Sequence, residues 1–475
     1  MNEVVDEIYE NETAEELYER IQREKERLIS EGKLKKQKKL PEISEDEIPF
    51  EIPKSWKWVR LGEVTLLMDG IYIENVQLPY LEVKYLRGKI EAKMKNSGKY
   101  VEKNQHLILV DGENSGEIFL TKEEGILGST FKLLKILFNY DKYIIHFLNL
   151  YKEVFKSNKK GAAIPHLDKD LFKMFVIPLP PLSEQKRISE LIDRLFEKLD
   201  EAKEKALSAL NTFELRKAKI LHLAIQGKLS KQLDEYKTAE ELYEKIQIEK
   251  EKLISEGKLK KQKKLSEISE DEIPFEIPKS WKWVRLGEIG EIVGGGTPKT
   301  NNSEFWINGD IAWITPADMK NVNGKYVSFG ERNITEKGLN SSSAKLMPKH
   351  SVIYSSRAPI GYVAIAGNSL STNQGFKSII PYEFEMDNFL YYCLIDRTED
   401  IIMRATGTTF KEISGSEFGN TIIPLPPLEE QKEIVKLLDN IFEKEAKAKK
   451  IIESTLNKIE LIKKSILARA VRGEF

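Results

Sequence analysis

The side chains with the clearest capacity for chemistry in this sequence are hydrogen-bonding and basic groups gathered in loop-like stretches. From Gly294 the chain reads GGGTPKTNN, presenting Thr297, Lys299, Thr300, Asn301 and Asn302. Ser355, Ser356 and Arg357 follow a β-rich run, and Asn373 and Gln374 precede another. Arg404, Thr408, Thr409 and Lys411 lie in the stretch RATGTTFK. An earlier part of the chain offers Arg87, Lys89, Lys93, Lys95 and Asn96, then Asn114 and Ser115, then Lys159, Lys160 and His166. Amide side chains can pair with an adenine edge, Arg and Lys with guanine, and all of them with phosphate. This is the chemistry of recognition. Taken singly, each position reads equally well as an ordinary turn or surface residue.

Sets that would make or break bonds are missing. Gly294–Thr300 has Pro298 where a phosphate-binding Walker loop needs Gly, so its amides could not cradle phosphates in that way. The PLPPL runs put Leu179 and Leu425 where an amino-methyltransferase needs a polar group for its target amine. They put Leu182 and Leu428 where it needs an aromatic ring. Glu184-Gln185-Lys186 and Glu430-Gln431-Lys432 have the lettering of a nuclease core, but they sit at helix starts in a chain rich in both charges. The single cysteine, Cys393, excludes an internal disulfide, and no His or Cys has zinc spacing. The reading is therefore no catalytic residue, no metal and no cofactor held by this chain.

Charged residues make up 32% of the chain, which points to long solvated helices, and the net charge of −1 gives bulk electrostatics no role. No apolar run approaches the ~18–20 residues of a membrane span, and Met1–Glu10 lacks a signal-peptide core. A cytoplasmic protein without membrane contact is expected.

The elements that position the loops follow from an internal duplication. Thr13–Glu63 recurs as Thr238–Glu288 with four differences in 51 positions, a shift of 225. IPLPPLSEQKRISELIDRLFEK from Ile177 recurs as IPLPPLEEQKEIVKLLDNIFEK from Ile423, a shift of 246. The intervening stretches share little sequence and differ by 21 residues in length. The domains expected are a charged helix and linker over 1–55, a module over 56–177, a helix over 178–230, a second charged helix and linker over 231–280, a second module over 281–423, and a closing helix over 424–475. Each module mixes short β-rich runs with Gly and Asn turns and ends in a helix, which reads as an α+β domain with a bent or barrel-like sheet. The first carries about four more basic than acidic side chains and the second about one fewer, so only the first has a bias toward phosphate. The KLKKQKK runs read as solvated linkers, or more sharply as phosphate contacts.

The closing helices show the strongest periodicity. Ile188, Ile192, Leu195, Leu199, Ala202, Ala206, Ala209 and Phe213 alternate steps of four and three. Ile434, Leu438, Ile441, Ala448, Ile452, Ile459, Ile462 and Ile466 follow the same seam, interrupted by Glu445 and Thr455. About 44 residues at 1.5 Å each make a rod of about 66 Å. Two such stripes in one chain are expected to pack on each other, antiparallel, under a pseudo-twofold relation.

Together these residues resemble the specificity subunit of type I restriction-modification systems. The strings that carry the resemblance are the paired IPLPPLxEQKxI, the paired IPKSWKWVRLGE, and in the second module GGGTPKTNNSEFWINGDIAWITPADM, SSRAPIGYVAIA and STNQGFKSI. The first module departs from the pattern, having GENSGEIF and GILGSTFKLLKI instead. The resemblance implies two target-recognition domains, each reading half of an asymmetric, bipartite double-stranded DNA site through the loop residues named above. The antiparallel coiled-coil helices would set the spacing and dock two methyltransferase (modification) subunits. S-adenosylmethionine, ATP and Mg would belong to those partners and to any restriction-translocase subunit that joins. Two alternatives stay open at this stage: a coiled-coil protein-interaction scaffold, and a specificity subunit of a methylation-only system.

Overall fold

Each copy opens with a helix whose start is written in its letters. Thr13 caps Ala14–Ser30 in a reciprocal capping box with Glu16, and Ala14, Leu17, Ile21 and Leu28 form its buried stripe. Gly32, at φ 67°, takes the left-handed turn beyond its end. Thr238 caps the second copy, Ala239–Ser255. The computed structural model describes residues 12–36, 38–138, 140–157, 159–160 (backbone alone), 166–231, 238–407 and 411–475. They form two units: one of residues 1–207 with 453–475, the other of residues 208–452.

In the first unit the near-identical flanks are drawn together. Strand Lys57–Arg60 pairs antiparallel with Val176–Leu179, so the module begins and ends on one ribbon, just ahead of the helix Leu182–Ile225. A buried arginine fastens the linker to this ribbon. Arg60, 1% exposed, donates to the carbonyls of Pro41 (2.7 Å), Glu42 (2.9 Å) and Met174 (2.8 Å) and forks onto Glu47 at 2.9 Å through both oxygens. The prolines that enter the helix leave a carbonyl free, and buried Gln185 caps it by donating to Pro180 O at 2.8 Å. Within the module, Thr65–Met68, Phe131–Ile136, His106–Leu109 and Ile118–Leu120 form an antiparallel sheet in that order. Ile71–Leu81, Met94–Val101 and Gly125–Leu127 close into a small barrel.

The second unit repeats the frame. Lys282–Arg285 pairs with Ile422–Leu425. Arg285 donates to Ser266 O (2.8 Å), Glu267 O (3.2 Å) and Asn420 O (3.2 Å) and forks onto Glu272 at 2.9 Å. Its module holds a five-stranded sheet, Gly290–Gly294, Lys377–Pro381, Val352–Ser356, Ile360–Ala366 and Tyr326–Val327, and a three-stranded sheet, Arg332–Ile334, Ile311–Ile314 and Leu370–Thr372. Different sheets inside one frame are the structural form of the unlike middles.

Leu182–Ile225 and Leu428–Val471 are each 44 residues long. In the first unit Lys203 bonds Glu460 and Lys463 bonds Asp200, both at 2.6 Å. In the second, Arg216 meets Glu445 at 2.5 Å and Lys449 meets Glu214 at 3.4 Å. In both, numbers rise along one helix as they fall along the other, so the helices run antiparallel. Two seam expectations are corrected: Ala202 and Ile462 are exposed, while Lys203 and Lys463 beside them are half-buried. A helix of 3.6 residues per turn drifts off a 3.5-residue pattern, and the ion-paired lysine stems cover the gap. Each helix ends on a glycine against an opening segment. A Cβ on Gly473 (φ 70°) would lie 2.5 Å from Pro53 Cγ, and one on Gly227 (φ 72°) 2.6 Å from Pro278 Cγ. No helix is long and apolar enough to cross a membrane among the described residues.

Candidate nucleic-acid interface

In the first module the expected residues fall into two groups. Arg87 follows the turn Val83–Leu86 and pairs with the Glu117 carboxylate, which sets it beside the Gly112–Gly116 turn that holds Asn114. His166 Nδ1 meets Asp111 Oδ1 at 2.6 Å, and its strand pairs with the backbone of Lys159 and Lys160. The second group lies on the barrel: exposed Lys93, 3.2 Å from Glu82, then Lys95, Nζ 3.8 Å from the Tyr80 ring centre, and Asn96. Lys89 is exposed. Ser115 is corrected: it is fully buried and donates to Gly112 O at 2.6 Å, building the turn. Sequence reasoning missed Tyr72, Tyr80 and Lys99. Lys99 and Lys132 share Asp69, and hydrogen bonds from Lys132 and then Lys99 hold that carboxyl below its ordinary value.

In the second module the glycine loop crosses the loop after Leu370–Thr372. A Cβ on Gly295 would fall 1.8 Å from Asn373 O, so only glycine permits the crossing. It brings Thr297 into hydrogen bonding with Gln374. The same loop is tied to the next turn, because Ser356 N donates to Gly375 O at 2.7 Å. Arg357 (3.5 Å) shares Glu412 there with Lys377 (3.2 Å), a residue that sequence reasoning missed, next to exposed Lys411. Thr297, Gln374, Arg357 and Lys377 thus form one polar, cationic surface. Lys299, Thr300 and Asn301 are exposed beyond it, and Trp306 Nε1 donates to Lys299 O at 3.1 Å. Arg332, also missed, lies 3.7 Å over the Trp306 ring; no local sequence pattern announces a contact across 26 residues.

Several expected residues are used by the fold instead. Ser355 and Ser356 are fully buried, and Ser355 Oγ accepts from Tyr362 N and donates to Pro359 O, both at 2.8 Å. Asn373 Oδ1 caps Gly375 N at 2.8 Å, and Asn302 Oδ1 caps Glu304 N at 3.1 Å. The Arg404 guanidinium is saturated by Asp400 (2.9 Å), Glu417 O (2.6 Å) and Thr421 Oγ1 (2.7 Å), so it ties helix to strand. Thr408 and Thr409 lie outside the described residues. No cluster of His, Cys, Asp and Glu is placed to hold a metal among the described residues.

A family model described as the type I restriction modification DNA specificity domain matches residues 53–211 and 278–459, more than half of the chain. The type I restriction enzyme MjaVIII specificity subunit of Methanocaldococcus jannaschii is 31% identical over 437 residues, 86% of this chain and 92% of that one. The MjaIX specificity subunit of the same organism is 44% identical over 182 residues, 37% of this chain; the match spans less than half of that relative, 42%. The crystal structure of the HsdS subunit from Thermoanaerobacter tengcongensis has the same fold, at a TM-score of 0.57 and 21% identity, covering 90% of this chain and 100% of that one. Two unlike α+β modules, each held in a copy of one frame with its own antiparallel helix pairing, define a tandem-repeat fold class. This chain belongs to the type I restriction-modification DNA specificity family.

Proposed function

We propose that this chain is the DNA sequence-specificity subunit of a cytoplasmic type I restriction-modification complex. The modules 56–177 and 281–423 each read one half of an asymmetric bipartite site, and the helices set the spacing. The carrying observation is that near-identical frames, down to the Arg60 and Arg285 clasps, hold modules whose sheets and exposed polar sets differ. Unlike readers in like mounts select two different half-sites. The chain itself is non-catalytic: S-adenosylmethionine, ATP and Mg act in the methyltransferase and restriction subunits. Mapping the adenines methylated when the chain is joined to a modification subunit tests this reading.

The helices also carry a surface for those partners. Leu215 is 76% exposed and Leu461 is 65% exposed, and the 246-residue shift relates them. Solvated helices rarely leave large apolar side chains at equivalent positions without a partner to cover them. Two equivalent sites fit two copies of a modification subunit. Leu215→Lys with Leu461→Lys should leave the unfolding temperature unchanged. Losing burial of about 1.5–3 kcal/mol per side chain should weaken binding of each modification subunit at least tenfold, read by titration calorimetry. Wild-type affinity would remove these residues from the docking surface.

A further inference from the structure

The barrel of the first module turns a row of cations to solvent. With a period of two, Lys93, Lys95, Ser97 and Lys99 share one face of their strand. At Gly98 the opposite face packs inward, where a Cβ would lie 2.4 Å from Ile126 Cγ2, while Met94 and Asn96 toward the start of the strand are exposed. Register places Tyr72 across from Lys99, Glu74 from Ser97 and Leu78 from Lys95, all on the outer face. The Lys95–Tyr80 contact lies there too. Diagonally opposite ends of this ribbon, Tyr80–Leu81 and Tyr100–Val101, both pair with Gly125–Leu127. That closure bows the ribbon and makes its outer face convex.

Two features mark the face as a contact surface. Tyr72 is 62% exposed, although a two-stranded ribbon needs apolar cover to be stable. Its cations outnumber the acids on it. Lys93 meets Glu82 and Lys99 meets Asp69, but Lys95 has no carboxylate partner among the described residues. The acid on the face itself is Glu74.

We propose that this convex ribbon enters the major groove of the half-site read by the first module, Lys95 and Lys99 against phosphates and Tyr72 against base edges. The groove is about 12 Å wide and admits a two-stranded β-ribbon. The proposal rests on the DNA-specificity reading. It also leaves Asn96 out of the contact set, because that exposed residue lies on the opposite face of the strand, with Gly98.

The test uses the full chain with its modification subunit, on a duplex carrying the mapped motif. Lys95→Ala and Lys99→Ala should each lower the slope of log affinity against log salt by about one. Tyr72→Ala should relax the bases accepted in one half of the methylated motif and leave the other half unchanged, and Asn96→Ala should do neither. All these side chains are exposed, so unchanged thermal unfolding is expected to confirm folding. Wild-type salt slopes together with an unrelaxed motif would overturn the ribbon's role while the specificity reading stood. Loss of modification-subunit binding in the absence of DNA would make the ribbon a protein contact and also overturn it. If the unaltered complex methylates without sequence preference, the specificity reading itself fails and the proposal falls with it.

Discussion

A chain carrying residues 56–177 in place of 281–423 is expected to direct methylation to an inverted repeat of its first half-site, with the original second half-site no longer recognised. The expectation rests on how the modules are mounted. The opening junction lies one residue before the strand Lys57–Arg60 or Lys282–Arg285, and the closing junction lies within its partner, with Val59↔Ile177 in one copy matching Val284↔Ile423 in the other. The graft therefore restores the same two-stranded ribbon and meets the same helix entry. Under the pseudo-twofold relation expected from the sequence duplication, two identical readers would meet opposite strands of the duplex. Sequencing of methylated adenines reads the outcome directly. A motif that kept its second half would show that recognition does not reside in residues 281–423.

Arg285→Ala is expected to destabilise the second unit by about 3 kcal/mol or more. The guanidinium is 4% exposed and serves three carbonyls and Glu272 at once. Alanine removes the donor that three carbonyls share and leaves a cavity where the buried guanidinium packed, whereas Glu272, at 36% exposed, can hydrate. Glu272→Gln keeps the carbonyl bonds and should cost much less. For a unit of this size the loss corresponds to a Tm about 6–10 °C lower, measurable by calorimetry. A drop below 2 °C would show that the linker is not held by this clasp. The first copy adds a pH dependence. The Arg60 guanidinium, with the Ser44 amide, holds the Glu47 carboxyl at about 2, against about 4.3 in an unfolded chain. The folded pKa is depressed, so this contribution is complete above the unfolded value and is lost as pH falls through the folded one. Arg60→Ala should shrink the loss of stability between about pH 4 and 2.

Much of the frame was legible because it depends on local signals: the duplicated flanks, the glycines Gly32, Gly227 and Gly473 at helix ends, and the long apolar seam. The seam failed at Ala202 and Ile462, where drift between 3.6 and 3.5 residues per turn hands the edge to Lys203 and Lys463. The interface was legible only in part, because its parts meet across long sequence separations. Lys93, Lys95 and Asn96 look like one set in the letters, but pairing with Ile71–Leu81 sends Asn96 to the other face and brings in Tyr72. Arg404 looks like a free cation until Asp400, Glu417 and Thr421 surround it. Ser355 and Ser356 follow a β run, but the turn they build buries them.

The central claim is that two modules read two separated half-sites. The direct measurement is single-molecule sequencing of DNA from a methylation-free host that expresses this chain with its modification subunit. The account predicts methylated adenines in a motif of two unlike specific halves separated by a fixed run of unspecified bases. One continuous motif, or methylation without sequence preference, would contradict it.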